Sequence, residues 1–404
     1  MTDGLAVGDE VELEVGAVAH GGHCVARVAG QVVFVRHALP GERVVARVTE
    51  VGGGARFVRA DAVSVLQPSS GRREPPCRYA GPGGCGGCDF QHADPEHGRA
   101  LKAAVVSEQL RRLAKVDLDV VVEPLPGALD GLRWRSRQRF AVGPDGRAGL
   151  RRHRSHEIVP VADCLIAAEA VTASGVLSRS WTGVEAVDVV APGDGSAAVV
   201  IPERDGGARG PQVHEPVRGR RWSGELSVAA TGFWQVHPGA PAAYVDHVLD
   251  VLQPATGERM LDLYAGAGLF AVPLADAVGA TGHVDAVESD RQAVADGIRN
   301  ATGRPQLRYH RGRVDAVLRR LARAGRVDGV VLDPPRAGAG SAVIRMILGQ
   351  RPRRVVYVAC DPAALARDTA YAMERGYALT GLRAFDAFPM THHVECIATF
   401  ARRT

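Results

Sequence analysis

A single thiol stands where a buried strand ends. In "VVYVACDPAALARD", residues 355–368, an apolar run of β-branched and aromatic residues closes on Cys360. Asp361-Pro362 then opens an Ala/Leu stretch that reads as a helix. Glu395 begins a later strand-like run, in "THHVECIATF". A thiol and a carboxylate on one crevice can do covalent chemistry: the sulfur adds to an electrophile, and the base later removes a proton so that the sulfur can leave. The thiolate must be accessible, so a positive or hydrogen-bonded setting is expected around Cys360. Cys396 follows Glu395 directly, so it points to the opposite face and reads as core, as does Cys24.

Two loops suggest what the electrophile and its partner are. "MLDLYAGAGLFA" places an apolar strand before Gly266-Ala267-Gly268 and a helix after it, so the backbone can turn tightly against a ligand. Glu288 ends the next strand, where a carboxylate can accept from both hydroxyls of a ribose. With Ala271 in the last position the pattern also fits a dinucleotide site, so it does not separate a nicotinamide nucleotide from S-adenosylmethionine. "VVLDPPRAG" does. Asp333-Pro334-Pro335 closes a fourth strand, and two prolines cannot continue a ladder, so the chain leaves the sheet on a stiff path. Such a loop suits the space between a methyl donor and an acceptor base; hydride transfer has no use for it. Carbon 5 of uracil is a poor nucleophile until a thiolate adds at carbon 6, and the carbon 5 proton must then be removed. One thiol and one base meet that requirement.

These residues need a sheet to position them. The chain has 404 residues, with 46% hydrophobic and 23% charged, which excludes a disordered chain and predicts two or three domains. A net charge of +4 is too small to argue for nucleic acid by itself. No apolar run is long enough to span a membrane and the start does not resemble a signal peptide, so the expectation is a cytoplasmic protein with reduced thiols. Residues 6–66 alternate Val with polar residues between Gly-rich breaks, as a small β-barrel or sandwich does. "QPSSGRREPP", residues 67–76, is a linker by composition, and a helix is expected over about 96–115. Residues 117–225 mix short strands with polar turns. From 240 onward strands alternate with helices, which predicts an α/β fold with a doubly wound, mostly parallel sheet.

Two further patterns stand outside that sheet. "CRYAGPGGCGGCDFQH" holds Cys77, Cys85 and Cys88, with Cys164 as the natural fourth. Four thiolates suit zinc or an iron–sulfur cluster, and one close pair plus two single cysteines favours the cluster. "RWRSRQRF" sets Arg133, Arg135, Arg137 and Arg139 at period two, hence on one strand face, and "RRHR" follows at 151–154; both fit contacts to RNA phosphates.

Together these motifs resemble the RNA 5-methyluridine methyltransferase family that carries an iron–sulfur cluster and an N-terminal TRAM domain, over nearly the whole chain. The resemblance implies a TRAM-like β-barrel at 1–67, a central domain with the cluster and an RNA-binding surface at 77–225, and a Rossmann-like class I methyltransferase domain at 226–404. It implies Cys77, Cys85, Cys88 and Cys164 as ligands of a cluster of the 4Fe–4S type. "GFWQVHP" is similar to the motif whose glutamine, here Gln235, contacts S-adenosylmethionine; Tyr264, Gly266, Glu288 and Asp333 fall with the other donor-binding positions. Cys360 matches the nucleophile and Glu395 the base. The target would be a uridine in ribosomal RNA or, second, transfer RNA, with no membrane partner and a monomer as the default. The chain departs from the family in Asp361 and His237, where Asn is common, and in a longer first cysteine gap. A 5-methylcytosine RNA enzyme is disfavoured because the Pro loop lacks a second cysteine. A nicotinamide-dependent oxidoreductase and a non-catalytic RNA-binding protein are the remaining alternatives.

Overall fold

The computed structural model describes residues 5–28, 30–52, 57–203, 210–321 and 325–403. Five strands come first: β1 (Glu10–Glu14), β2 (Cys24–Val28), β3 (Gln31–Arg36), β4 (Arg43–Gly52) and β5 (Phe57–Gln67), in the order β1-β4-β5-β3-β2. Period-two patterning decides their faces: along β4, Val44, Ala46 and Val48 are buried while Arg43, Arg47 and Thr49 are exposed. Beyond β1 the chain pairs with β2, through Gly16 N–H to the Val25 carbonyl at 2.8 Å and Val25 N–H to the Ala17 carbonyl at 2.9 Å. These bonds close the sheet and remove its free edges. The composition-based linker is pinned down: Arg72 donates to buried Glu42 at 2.6 and 2.7 Å and to the His37 carbonyl at 2.8 Å.

Helix α1 (Pro95–Gln109) is shorter than its sequence pattern, because Leu110–Ala114 widen into a π turn that Lys115 ends at φ 58°. Leu101 and Val105 complete the barrel core, whereas Val106 and Leu110 join the core of the C-terminal sheet. After β6 (Val122–Pro124) come β7 (Arg137–Val142), β8 (Ala148–Arg151), β9 (Ile158–Pro160), α2 (Glu169–Ala173), β10 (Ala186–Val190) and β11 (Val199–Glu203). They form an antiparallel sheet of order β11-β10-β7-β8-β9, followed by a hairpin of β12 (Gln212–Arg218) and β13 (Ser223–Ala229).

The rest alternates as expected: α3 (Ala240–Leu252), β14 (Arg259–Leu263), α4 (Ala271–Val278), β15 (His283–Glu288), α5 (Arg291–Asn300), β16 (Leu307–Arg311), α6 (Val314–Leu321), β17 (Gly329–Leu332), α7 (Gly340–Gly349), β18 (Arg354–Ala359), α8 (Pro362–Glu374), β19 (Tyr377–Asp386) and β20 (Glu395–Arg402). The sheet order is β16-β15-β14-β17-β18-β20-β19-β6. Strands β16 to β18 are parallel, and β20 lies antiparallel between β18 and β19. Apolar layers cover both faces, which is why the parallel strands read as continuous Val/Leu runs. The order reverses between β14 and β17, so a crevice opens beyond their C-terminal ends. Among the described residues no helix is long and apolar enough to cross a membrane.

A buried ion pair ties α1 to the end of β19: Lys102 Nζ donates to Asp386 Oδ1 at 2.5 Å and to the Phe388 carbonyl at 2.9 Å. Asp386→Ala leaves that ammonium uncompensated, and it is expected to cost about 3–5 kcal/mol of stability. Lys102→Met with Asp386→Leu should cost less than Asp386→Ala alone, as read by chemical denaturation.

Candidate active site

The loop after β14 builds the first half of the crevice. Tyr264 (φ 64°), Gly266 (φ 53°) and Gly268 (φ 104°) all take left-handed backbone. Gly266 N–H donates to Glu288 Oε2 at 3.0 Å, and Oε1 accepts from the amides of Ser289 at 2.5 Å and Asp290 at 2.7 Å. Glu288 is therefore clamped between two loop ends. A Cβ at Gly268 would lie 2.7 Å from the Tyr309 hydroxyl. Across the crevice, Asp333 N–H donates to the Leu263 carbonyl at 3.1 Å, which anchors the Pro loop beside β14.

Beneath this loop lies Asp262, a residue that motif reading passed over. It is fully buried, and its carboxyl oxygens make no hydrogen bond of normal geometry. Burial pushes it well above the usual carboxylate range, with Asp333 and Glu288 adding to the rise and the Ala271 amide the one group opposing it. The signal was present in "MLDLYAGAG": a charged residue inside an otherwise apolar strand run. Burial also raises Asp333 to about 7. A floor of carboxyls lacking cationic partners suits a ligand that brings positive charge.

The second half of the crevice holds the thiol and the base. Strands β18 and β20 pair with Ala359 opposite Cys396. Cys360 follows directly after β18 and Glu395 opens the neighbouring β20, close enough for its carboxyl to raise the thiol. Cys396 projects to the other side and is fully buried, as is Cys24. Cys360 lines a cavity of about 120 Å³ with Lys102, Arg336, Asp361, His392, His393 and residues 20–22 of the barrel. Glu395 does not line this cavity; it is buried at 4% exposure. Burial raises it well above the carboxylate range, and Asp333 raises it further.

The expected positive setting for Cys360 is absent from the protein on its own. Burial pushes the thiol up to about 12; Glu395, Asp333 and Asp361 raise it, and only Arg336 opposes them. Nearby cations are committed elsewhere, Lys102 to Asp386 and Arg336 to His393 Nε2 at 3.1 Å. Gln235 and Tyr264 stand apart from the thiol. Gln235 is buried on the loop between β13 and α3, and Tyr264 packs toward α6 and α8, near Asp315 and Asp368.

Comparison with known proteins places this crevice in a family. Residues 5–63 match the TRAM domain profile, and residues 319–403 match the profile described as tRNA (Uracil-5-)-methyltransferase. An RNA methyltransferase of Streptomyces avermitilis is 48% identical, over 97% of this chain and 98% of its own. The 23S rRNA (uracil(1939)-C(5))-methyltransferase of Thiobacillus denitrificans is 33% identical, over 95% of this chain and 98% of its own. The chain belongs to the RNA uracil-5 methyltransferase family. Its fold matches the crystal structure of a Pyrococcus abyssi tRNA (uracil-54, C5)-methyltransferase bound to S-adenosyl-L-homocysteine, with a TM-score of 0.72 at 19% identity, over 96% of this chain and 100% of that one.

In this methyltransferase Cys77, Cys85, Cys88 and Cys164 line one cavity of about 150 Å³. Gly87 N–H donates to the Cys85 sulfur at 3.4 Å and Gln91 Nε2 to the Cys88 sulfur at 3.3 Å. Burial raises Cys85 to about 11 and raises Cys88 and Cys164 as well. Among the described residues no three His, Cys, Asp or Glu side chains sit close enough to ligate one metal ion.

The arginine pattern is corrected. Only Arg137 and Arg139 lie in β7; Arg133 precedes it with φ 56°. Arg133 pairs with Asp163 at 2.6 Å and Arg137 with Glu215 at 2.6 Å, Arg139 engages Asp188 and Glu203, and Arg135 donates to the Arg137 carbonyl at 3.0 Å. These are structural cations rather than a free phosphate-binding stripe. Gly268→Ala should test the donor loop. A Cβ against Tyr309 at positive φ costs about 1–3 kcal/mol, so S-adenosylmethionine affinity measured by calorimetry should fall about 5- to 150-fold.

Proposed function

We propose that this protein methylates carbon 5 of a uridine in ribosomal RNA through a covalent adduct on Cys360, with Glu395 as the base. The observation that supports this reading most is that Cys360, just past β18, lies within electrostatic reach of both Glu395 at the start of β20 and Asp333 of the Pro loop. Gln235, Tyr264, Gly266, Glu288 and Asp333 would hold S-adenosylmethionine, which supplies an electrophilic methyl group and positive charge. That charge favours the ionised forms of Cys360 and Glu395, which the empty crevice holds neutral. The Cys360 thiolate adds to carbon 6, and the electron pair moves onto the ring to make carbon 5 nucleophilic. Carbon 5 takes the methyl group, and the donor sulfur leaves neutral. The Glu395 carboxylate then removes the carbon 5 proton; the ring double bond re-forms and expels the Cys360 thiolate. A uridine reaching this recess is flipped from its stack.

Ribosomal RNA is supported by the 23S rRNA enzyme that is 33% identical over 95% of this chain; transfer RNA is the alternative. A cleft of mixed charge would meet the rest of the RNA: Arg59 lies over Phe34 and Phe57 at 5.6 and 5.4 Å, across from exposed Arg152 and Arg154, with Glu50 and Glu157 paired to these arginines. We assign the enzyme to the cytoplasm, where its RNA lies and its thiols stay reduced, acting as a monomer because one chain supplies every group used.

Cys360→Ala should abolish methyl transfer to bulk RNA. Glu395→Gln should slow turnover about 10²–10⁴-fold, as loss of a general base does, and accumulate a protein–RNA adduct on a denaturing gel. Full activity of Cys360→Ala would exclude the covalent route.

Cys77, Cys85, Cys88 and Cys164 would hold an iron–sulfur cluster; what supports this is that all four line one cavity. Such a cluster would serve folding and RNA placement, since methyl transfer requires no electron. Iron and acid-labile sulfide, with an absorbance shoulder near ~400 nm, are expected in anaerobically purified protein; zinc without iron would refute the cluster.

A further inference from the structure

The β1–β2 loop belongs to the N-terminal barrel, yet His20, Gly21 and Gly22 form one wall of the cavity around Cys360. Gly22 has φ +82°, and a Cβ there would fall 2.6 Å from the Cβ of His392. The loop is therefore seated closely on the segment leading into β20. From this wall His20 Nε2 reaches Asp361 Oδ2 at 3.0 Å. The other oxygen, Oδ1, accepts from Ala364 N–H at 2.7 Å and caps α8. Both oxygens of the residue after the thiol are thus committed, one to its own helix and one to the barrel. Asn could cap α8 equally well, but only a carboxylate can also accept a charge-assisted bond from an imidazolium.

We propose that His20 is a positioning residue: by holding Asp361 it fixes the Cys360 turn, so that the nucleophile is aligned only while the barrel loop is docked. This rests on the proposed role of Cys360. The pair's strength depends on pH. Donating its hydrogen bond to the Asp361 carboxylate raises the His20 pKa, outweighing its burial. Burial raises Asp361, but bonds from His20 and Ala364 hold it below its usual range. The pair is therefore complete below the ordinary histidine pKa of about 6.5 and is lost as pH climbs through the raised value. The other groups facing this cavity are Cys360, Arg336, His392, His393 and Lys102.

The test compares wild type, His20→Ala, His20→Gln, Asp361→Asn and the His20→Ala/Asp361→Asn double variant in methyl transfer to an RNA hairpin. Small misalignments of reacting groups are costly. His20→Ala should lower kcat about tenfold with KM within about twofold, and the double variant should be no slower than the slower single one. His20→Gln, a donor that does not titrate, should recover most of the rate. The ratio of wild-type to His20→Gln kcat should be flat at low pH and fall as His20 deprotonates; thiol ionisation cancels in that ratio. Wild-type kcat in His20→Ala, additive losses, an effect on KM alone, or a pH-independent ratio would each overturn the proposal. If His20→Ala were fully active while Cys360→Ala were dead, the positioning role would fall and the covalent mechanism would stand.

Discussion

The register between β18 and β20 is the constraint on which the chemistry hangs. Ala359 pairs with Cys396, so Cys360, directly after β18, lies close to Glu395, which opens β20. Because side chains alternate along a strand, a slip of one residue would send Glu395 into the core and bring Cys396 to the crevice. Pairing on both sides protects against that slip, since β20 is held between the antiparallel β18 and β19 rather than at an edge.

A second consequence is electrostatic. Asp262, Asp333 and Glu395 are withdrawn from water with little cationic compensation, and Cys360 lies above them. Desolvation disfavours their ionised forms. Burial therefore opposes ionisation of Cys360, and a cationic ligand in the crevice would oppose that shift.

The outer parts of the chain converge on the same place. Helix α1 is shared by two cores, giving Leu101 and Val105 to the barrel and Val106 and Leu110 to the large sheet, while Lys102 between them reaches Asp386. Asp89, just after Cys88, accepts from His392 Nδ1 at 2.6 Å beside the catalytic cavity. The barrel loop, the cysteine-bearing segment and α1 each meet the wall around Cys360. The cavity around Cys360 is therefore composite, although Cys360 and Glu395 themselves belong to adjacent parts of one sheet.

The sequence by itself determined the elements whose causes are local. Continuous Val/Leu runs specified the parallel strands, Gly266 and Gly268 a turn open to ligand, Pro334-Pro335 a strand end, and Asp361-Pro362 a helix cap. Cys360 and Glu395 were legible because each sits where an apolar run stops or starts. The short strands between 117 and 225 were not legible, since their burial depends on partners far along the chain. The even spacing of Arg133 to Arg139 misled for the same reason: period two describes a strand face only inside a strand, and Asp163, Glu215, Asp188 and Glu203 claim three of these arginines from other segments. Protonation states, the spread of four cysteines around a cavity, and the reach of His20 to Asp361 are decided by tertiary structure alone. They depend on distance, desolvation and charge between residues that linear order leaves far apart.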